Sequence, residues 1–287
     1  MSSIVGEYKA LEWNIAGRSG QGGRPVDMIV REILKREADF VILTEFVETK
    51  ETPNFKSSLE KEGYLVFTTK PIRNKNGILI AVHSKKVVAA SAEGDLFMDI
   101  INKGPNFLRV NAELKPTENV ELKPPGKKIA LIGVRMRTNK DTRKIQAGLL
   151  RNHIAGCKTD TSVLCMGDFN ASKESLVDKD ALNMNPENCE MYSPGSCSSA
   201  EGVSANTCAD KELLNWSYVS LGGKKLSLDH MFISKDCSCK NYNYDWSFVN
   251  PDNGYNTLTS SDYLSEKTAL PDHAILTGTI TIHCADT

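Results

Sequence analysis

The sequence predicts an α/β protein in which mixed β-sheets have their faces covered by helices, and three observations carry that expectation. Nine short apolar runs rich in β-branched and aromatic residues recur along the chain, too many for a small parallel sheet. Helical stretches alternate with them. No internal repeat or interdomain linker stands out, so residues 1–287 are expected to form a single domain.

The runs, in order, are YKALEWNI (8–15), DFVILTEF (39–46), GILIAVHS (77–84), FLRVNAEL (107–114), IALIGVRM (129–136), SVLCMGDF (162–169), LDHMFIS (228–234), YDWSFVN (244–250) and ILTGTITI (275–282). Between the first two, Val26, Ile29, Val30, Ile33 and Leu34 fall on one face of a helix, and Pro25 suits its first turn. A second helix is expected over 141–155, with Ile145, Leu149, Leu150 and Ile154 on its apolar side and Gly156 as its stop. Three segments read as loops: the Gly-rich GRSGQGGRP (17–25), the Asn-, Ser- and Cys-rich stretch 183–208, and 250–263. Loops of that length inside one domain are often functional.

With 40% apolar and 25% charged residues, the chain has the balance of an ordinary globular protein that can bury a sizeable core. A net charge of −1 excludes a global pull toward polyanions, so an anionic partner must be met by a local patch. One candidate runs from Lys127 to Arg151, where eight basic residues face the single acid Asp141; a solvated helix face is the alternative. The start MSSIVGEYKALEW lacks a basic region followed by an apolar one, and no run approaches a membrane span, so the expected location is cytoplasmic. Eight cysteines could suggest a disulfide framework, but a chain of this length does not need one. Free thiols are expected, with a loop disulfide among Cys189, Cys197 and Cys208 as the alternative. Cys237-Ser238-Cys239 has no second pair at zinc spacing.

Several apolar runs finish abruptly in acids or amides. LEWN ends in Asn14, FVILTE in Glu45, VLCMGDFN in Asp168 and Asn170, and LPDH places Asp272 and His273 just before the final strand. Strand ends at one edge of a sheet are where α/β proteins assemble their sites. Singly, each could be a turn residue. Glu45 stands apart, because an acid closing so apolar a run is costly to desolvate without a cation. Together Glu45, Asp168, Asp272, Asn14 and Asn170 form an oxygen-rich set of the kind that suits Mg²⁺ or Mn²⁺ rather than zinc.

The segments LEWNIAG, ADFVILTE, MGDFNA, SLDHMFIS and LPDHAIL stand in the order and approximate spacing of the endonuclease/exonuclease/phosphatase superfamily, and the chain resembles deoxyribonuclease I and the apurinic/apyrimidinic endonucleases from about Leu11 to Ile280. The resemblance implies a four-layer α-β-β-α sandwich of two mixed β-sheets flanked by helices. It further implies that Glu45 binds the metal with Asn14 beside it, and that Asp168 addresses the attacking water while Asn170 holds the phosphate. Asp272 is implied to lie near the metal, His273 to contact the scissile phosphate, and Asp229 to hydrogen-bond that histidine. The pairing thus crosses between two Asp-His dipeptides, Asp229-His230 and Asp272-His273, leaving His230 as a buried strand residue.

Two positions depart from the family pattern. Counting back from Arg143, Gln146 and Leu149 puts Arg135 where many members carry histidine. Arginine cannot serve as a general acid near neutral pH, although its guanidinium can clamp a phosphate in bidentate fashion. Ala16 stands where abasic-site nucleases carry an aspartate. The expected function is a divalent-metal-dependent phosphoesterase, a nuclease on DNA or RNA. The alternatives are a phosphomonoester or phospholipid-headgroup phosphatase and an inactive binding module. Nucleic acid is the expected partner, met by the basic segment and by Tyr255 and Tyr263.

Overall fold

A computed structural model describes residues 4–16, 25–70, 76–95, 107–115, 126–184, 189–192, 216–219, 225–248, 271 and 273–283. Two six-stranded sheets organise these residues, and each is mixed. The first runs β13-β14-β1-β2-β4-β3, from β1 (Ile4–Asn14), β2 (Phe40–Phe46), β3 (Tyr64–Thr68), β4 (Gly77–His83), β13 (Cys237–Asp245) and β14 (Ile275–His283). The second runs β5-β6-β7-β8-β12-β9, from β5 (Val87–Asp95), β6 (Phe107–Leu114), β7 (Lys128–Arg135), β8 (Thr161–Asp168), β9 (Cys189–Tyr192) and β12 (Asp229–Ser234). A short hairpin, β10 (Tyr218–Val219) with β11 (Lys225–Leu226), stands apart.

Each sheet contains one parallel pair at its centre, β1 with β2 and β7 with β8, and all its other pairings are antiparallel. Parallel neighbours require a crossover. The helices α1 (Pro25–Lys35) and α3 (Lys140–Ala155) supply the two crossovers. Four strand C-termini, two from each sheet, therefore carry the parallel-pair residues of the site.

Period-two alternation sorts the second sheet. Leu131, Leu164, Met166, Met231 and Ile233 join the core shared with the first sheet, whereas Ile132, Val134, Val163, Cys165 and Phe232 face outward. The outward face is covered by Ala147, Leu150 and Ile154 of α3 and Leu176 of α4 (Lys173–Val177). On the first sheet, α1 buries Ile29 and Ile33, and α2 (Thr52–Lys61) buries Phe55 and Leu59. The architecture is the α-β-β-α sandwich. The sheets approach closely at Gly133, where a Cβ would lie 2.6 Å from Ile78 Cγ2 and 3.0 Å from Ile42 Cγ2.

Several expectations need correction. The run 244–250 is not a strand of its own: β13 occupies Cys237–Asp245 and ends within it. The loop expected over 183–208 contains β9, and β3, β5 and α2 were not foreseen. On α3, Ile145 is 56% exposed and Gln146 and Ala147 are buried instead, because the apolar stripe is turned by about one residue. Gly156 ends that helix with φ −79°, so its cap does not use the left-handed conformation. Cys157, Cys165, Cys189 and Cys237 are free thiols, and Cys197 and Cys208 lie outside the described residues.

Candidate active site

The parallel strands deliver their terminal residues to one place. Asn14 closes β1, Glu45 lies in the last turn of β2, Arg135 closes β7 and Asp168 closes β8, with Asn170 two residues beyond. Register adds the rest: Arg135 is paired with Asp168 across the parallel ladder, and Asp229, opening β12, is paired with Asp168 across the antiparallel one. His273 precedes β14, the antiparallel neighbour of β1, and its carbonyl accepts the Trp13 Nε1–H at 3.0 Å.

The side chains form a connected chain of hydrogen bonds across the two sheets. His273 Nδ1 is 2.7 Å from Asp229 Oδ2, the cross-pairing of two Asp-His dipeptides that the resemblance implies. Its Nε2 faces Asn14 Nδ2 at 3.5 Å, and the same Nδ2 donates to Asp168 Oδ2 at 3.1 Å. Asn170 donates twice to Asp168, from its backbone N–H to Oδ1 at 2.8 Å and from Nδ2 to Oδ2 at 2.9 Å. Arg143 on α3 donates to the Asn170 carbonyl. His230 takes no part, because its strand neighbour Asp229 faces inward and it faces outward. There it lies 2.8 Å from the Ala171 carbonyl, edge-on to Phe169, and burial lowers its pKa.

Backbone strain helps to aim these groups. Ala16, Glu45 and Asn170 all have positive φ, at 48°, 53° and 50°, a conformation that non-glycine residues adopt at a cost. Strand parity would turn Glu45 away from Thr44 and toward the helix layer. The left-handed turn, with the ladder slipping between Thr44 and Phe46, instead brings its carboxylate to Arg135. Glu45 Oε1 accepts Arg135 Nε at 2.9 Å and Nη2 at 2.7 Å, an ion pair joining the two sheets. Gly167 serves the same end on β8: a Cβ there would lie 1.9 Å from the Val134 carbonyl oxygen.

Burial shapes the electrostatics. Asp168 is raised to about 7, first by desolvation and then by the Asp229 charge beside it, while His273 acts in the opposite direction. Glu12 was missed in the sequence reading. It sits two residues before Asn14 on the same strand face, fully buried between the sheets, with Thr44 Oγ1 donating to its Oε1 at 3.1 Å. Burial first, and then Asp229, push it well above the usual carboxylate range. Its signal was present: an acid in the middle of an apolar run. Tyr218 was missed as well, its ring 4.8 Å from that of His273.

Asp272, Tyr255 and Tyr263 lie outside the described residues. Among the described residues no group of three or more His, Cys, Asp or Glu side chains is set to hold a metal ion. The donors nonetheless fit a hard divalent cation in kind, since Glu45 and Asn14 are oxygen ligands at the ends of paired strands, and Asn14 is in register with Thr44. The basic segment is partly spent on the fold, with Lys127 paired to Asp236 at 2.9 Å and Arg151 donating to the Asn183 carbonyl at 2.9 Å. No helix among the described residues is long and apolar enough to cross a membrane.

Compared by sequence, the chain matches no protein-family model and no curated protein. Solved structures do match. ANGEL2, a 2′,3′-cyclic phosphatase, in complex with adenosine-2′,3′-vanadate, superposes with a TM-score of 0.62 at 15% identity, covering 98% of both chains. The human Nocturnin catalytic domain with bound sulfate gives 0.57 at 18% identity, covering 98% of this chain and 96% of that one. D. rerio TDP2 complexed with a single-strand DNA product gives 0.56 at 13%, covering 96% and 98%. With its two mixed sheets, its flanking helices and these likenesses, the chain has the fold of the endonuclease/exonuclease/phosphatase superfamily.

Proposed function

We propose that this chain is a divalent-metal-dependent phosphoesterase, a nuclease that hydrolyses phosphodiester bonds of DNA or RNA by attack of water, working as one domain in the cytoplasm. The observation that carries the reading is the hydrogen-bonded chain Asp229–His273–Asn14–Asp168–Asn170 where the ends of the two parallel strand pairs meet. Phosphate hydrolysis needs a water in line with the leaving oxygen and charge neutralisation on the non-bridging oxygens. This set supplies donors and a base for both tasks.

Asp168 is the base. A carboxylate has about four acceptor positions. Three hydrogen bonds from Asn14 and Asn170 fix its two oxygens, leaving a position for the water proton. His273, held through Nδ1 by Asp229, presents Nε2 to a non-bridging oxygen and donates to it when doubly protonated. Asn14 and Asn170 orient the phosphate, and Arg135 can add a guanidinium fork to it. Glu45, Asn14 and Asp272 would hold Mg²⁺ or Mn²⁺, which when bound supplies charge neutralisation on the phosphate and leaving oxygens.

Support for nucleic acid comes from the basic residues beside the site and from TDP2 being solved with a single-strand DNA product. A second reading, hydrolysis of a small phosphoester, is favoured by one observation, that ANGEL2 is a 2′,3′-cyclic phosphatase. Purified protein with Mg²⁺ or Mn²⁺ should cleave a member of a panel of plasmid, single-stranded DNA, RNA and small phosphoesters. Glu45→Ala, Asp168→Ala and His273→Ala should each lose most of that activity. Full activity in these variants, or none in the wild type on any substrate, overturns the assignment.

A further inference from the structure

Three arginines crowd the β7–α3 connection, and their commitments differ. Arg135 spends two N–H groups on Glu45. Arg143 donates through Nη1 to the carbonyls of Asn170 and Thr138. Arg137 meets its surroundings through its backbone, the N–H donating to Gln146 Oε1 at 2.8 Å. Its side-chain Nε, like that of Arg143, is buried with no hydrogen-bond acceptor among the described residues. The buried Met136 separates Arg135 and Arg137, and the Arg135 charge acts on the Arg137 guanidinium.

Charge is unbalanced there. The carboxylate facing Arg135 and Arg137 is Glu45, already taken by Arg135; Asp168 also acts on Arg135 and Arg143. Desolvation and the neighbouring Arg135 both disfavour the Arg137 cation. A buried donor of a charged group without an acceptor is costly, and a planar guanidinium fork matches the oxygens of a phosphate. Nε itself is closed off, but the Arg137 side chain is only half-buried, so an anion can reach its outer N–H groups.

We propose that Arg137 binds a second phosphate of the substrate, next to the one being cleaved, so that the site selects esters carrying two neighbouring phosphates. This rests on the phosphoesterase reading and narrows it. The second phosphate belongs either to a polynucleotide backbone or to a free nucleotide bisphosphate.

The test compares thymidylyl-thymidine with its 5′- and 3′-phosphorylated forms, in wild type, Arg137→Gln and Arg137→Lys. One charge-assisted phosphate contact should raise wild-type kcat/KM by roughly tenfold or more for one phosphorylated form. Arg137→Gln should bring that ratio close to one, with Arg137→Lys between, and melting temperatures should stay near wild type. Equal rates on all three substrates in the wild type, or an unchanged ratio in Arg137→Gln, overturn the proposal. Should none of the three be cleaved, the panel of plasmid, DNA, RNA and small phosphoesters decides the phosphoesterase reading, and calorimetric binding of adenosine 3′,5′-bisphosphate against AMP decides this inference separately. Tighter wild-type binding of the bisphosphate that Arg137→Gln abolishes supports it, and equal binding overturns it. Turnover of the bisphosphate itself marks a free nucleotide as the source, whereas cleavage extending to longer thymidylates marks a polynucleotide.

Discussion

Glu45 and Arg135 are the residues whose pairing most affects what the site can bind. The guanidinium holds Oε1 of the carboxylate expected to bind the metal. Arg135→Gln should therefore tighten Mn²⁺ binding on the order of tenfold in a titration without substrate, whereas Glu45→Gln should abolish it. Two buried groups make opposite pH predictions. His230 has a lowered folded pKa, so its stabilising effect is present above about 6.5, its unfolded value, and is lost as pH falls below that. The drop in melting temperature from pH 7.5 to pH 5 should thus shrink in His230→Gln. Glu12 has a raised folded pKa, so its stabilising effect is present below about 4.5 and is lost as pH rises toward the folded value. Glu12→Gln should flatten that alkaline loss, and an unchanged slope would place the coupling elsewhere.

Among the elements, α3 shows where periodicity misleads. Its apolar residues read equally well with Ile145 inside, but the packed stripe is Gln146, Ala147, Leu150 and Ile154. Gln146 is drawn inward because its Oε1 accepts the Arg137 backbone N–H. Leu150→Ala should cost about 2–5 kcal/mol in denaturant unfolding, and Ile145→Gln should stay within about 0.5 kcal/mol. The strands read from sequence as long apolar runs are mostly central ones, whereas the unforeseen β3, β5 and β9 are edge strands. An edge strand has a neighbour on only one side and can be short or polar, as VVAASAEGD of β5 illustrates.

In the whole molecule, catalysis as proposed depends on how closely two sheets approach. Gly133 has no room for a side chain against Ile78 and Ile42. Gly133→Val should destabilise the fold by about 1–3 kcal/mol and reduce activity beyond what the lost stability explains, since it would move Arg135 and Asp168 relative to Asn14 and Glu45. Wild-type rates at equal folded fraction would rule that out. The sequence by itself determined the two sheets' worth of apolar strands and the acids and amides at their ends, because strand period and strand-end chemistry are local properties; the pairing of Asp229 with His273 was implied by the family resemblance. It could not place Glu12 beneath the site, turn Glu45 onto Arg135 or bury the Arg137 Nε away from any acceptor among the described residues. Those depend on which strands lie opposite one another and on a left-handed φ at one residue, and only the packed tertiary structure sets both.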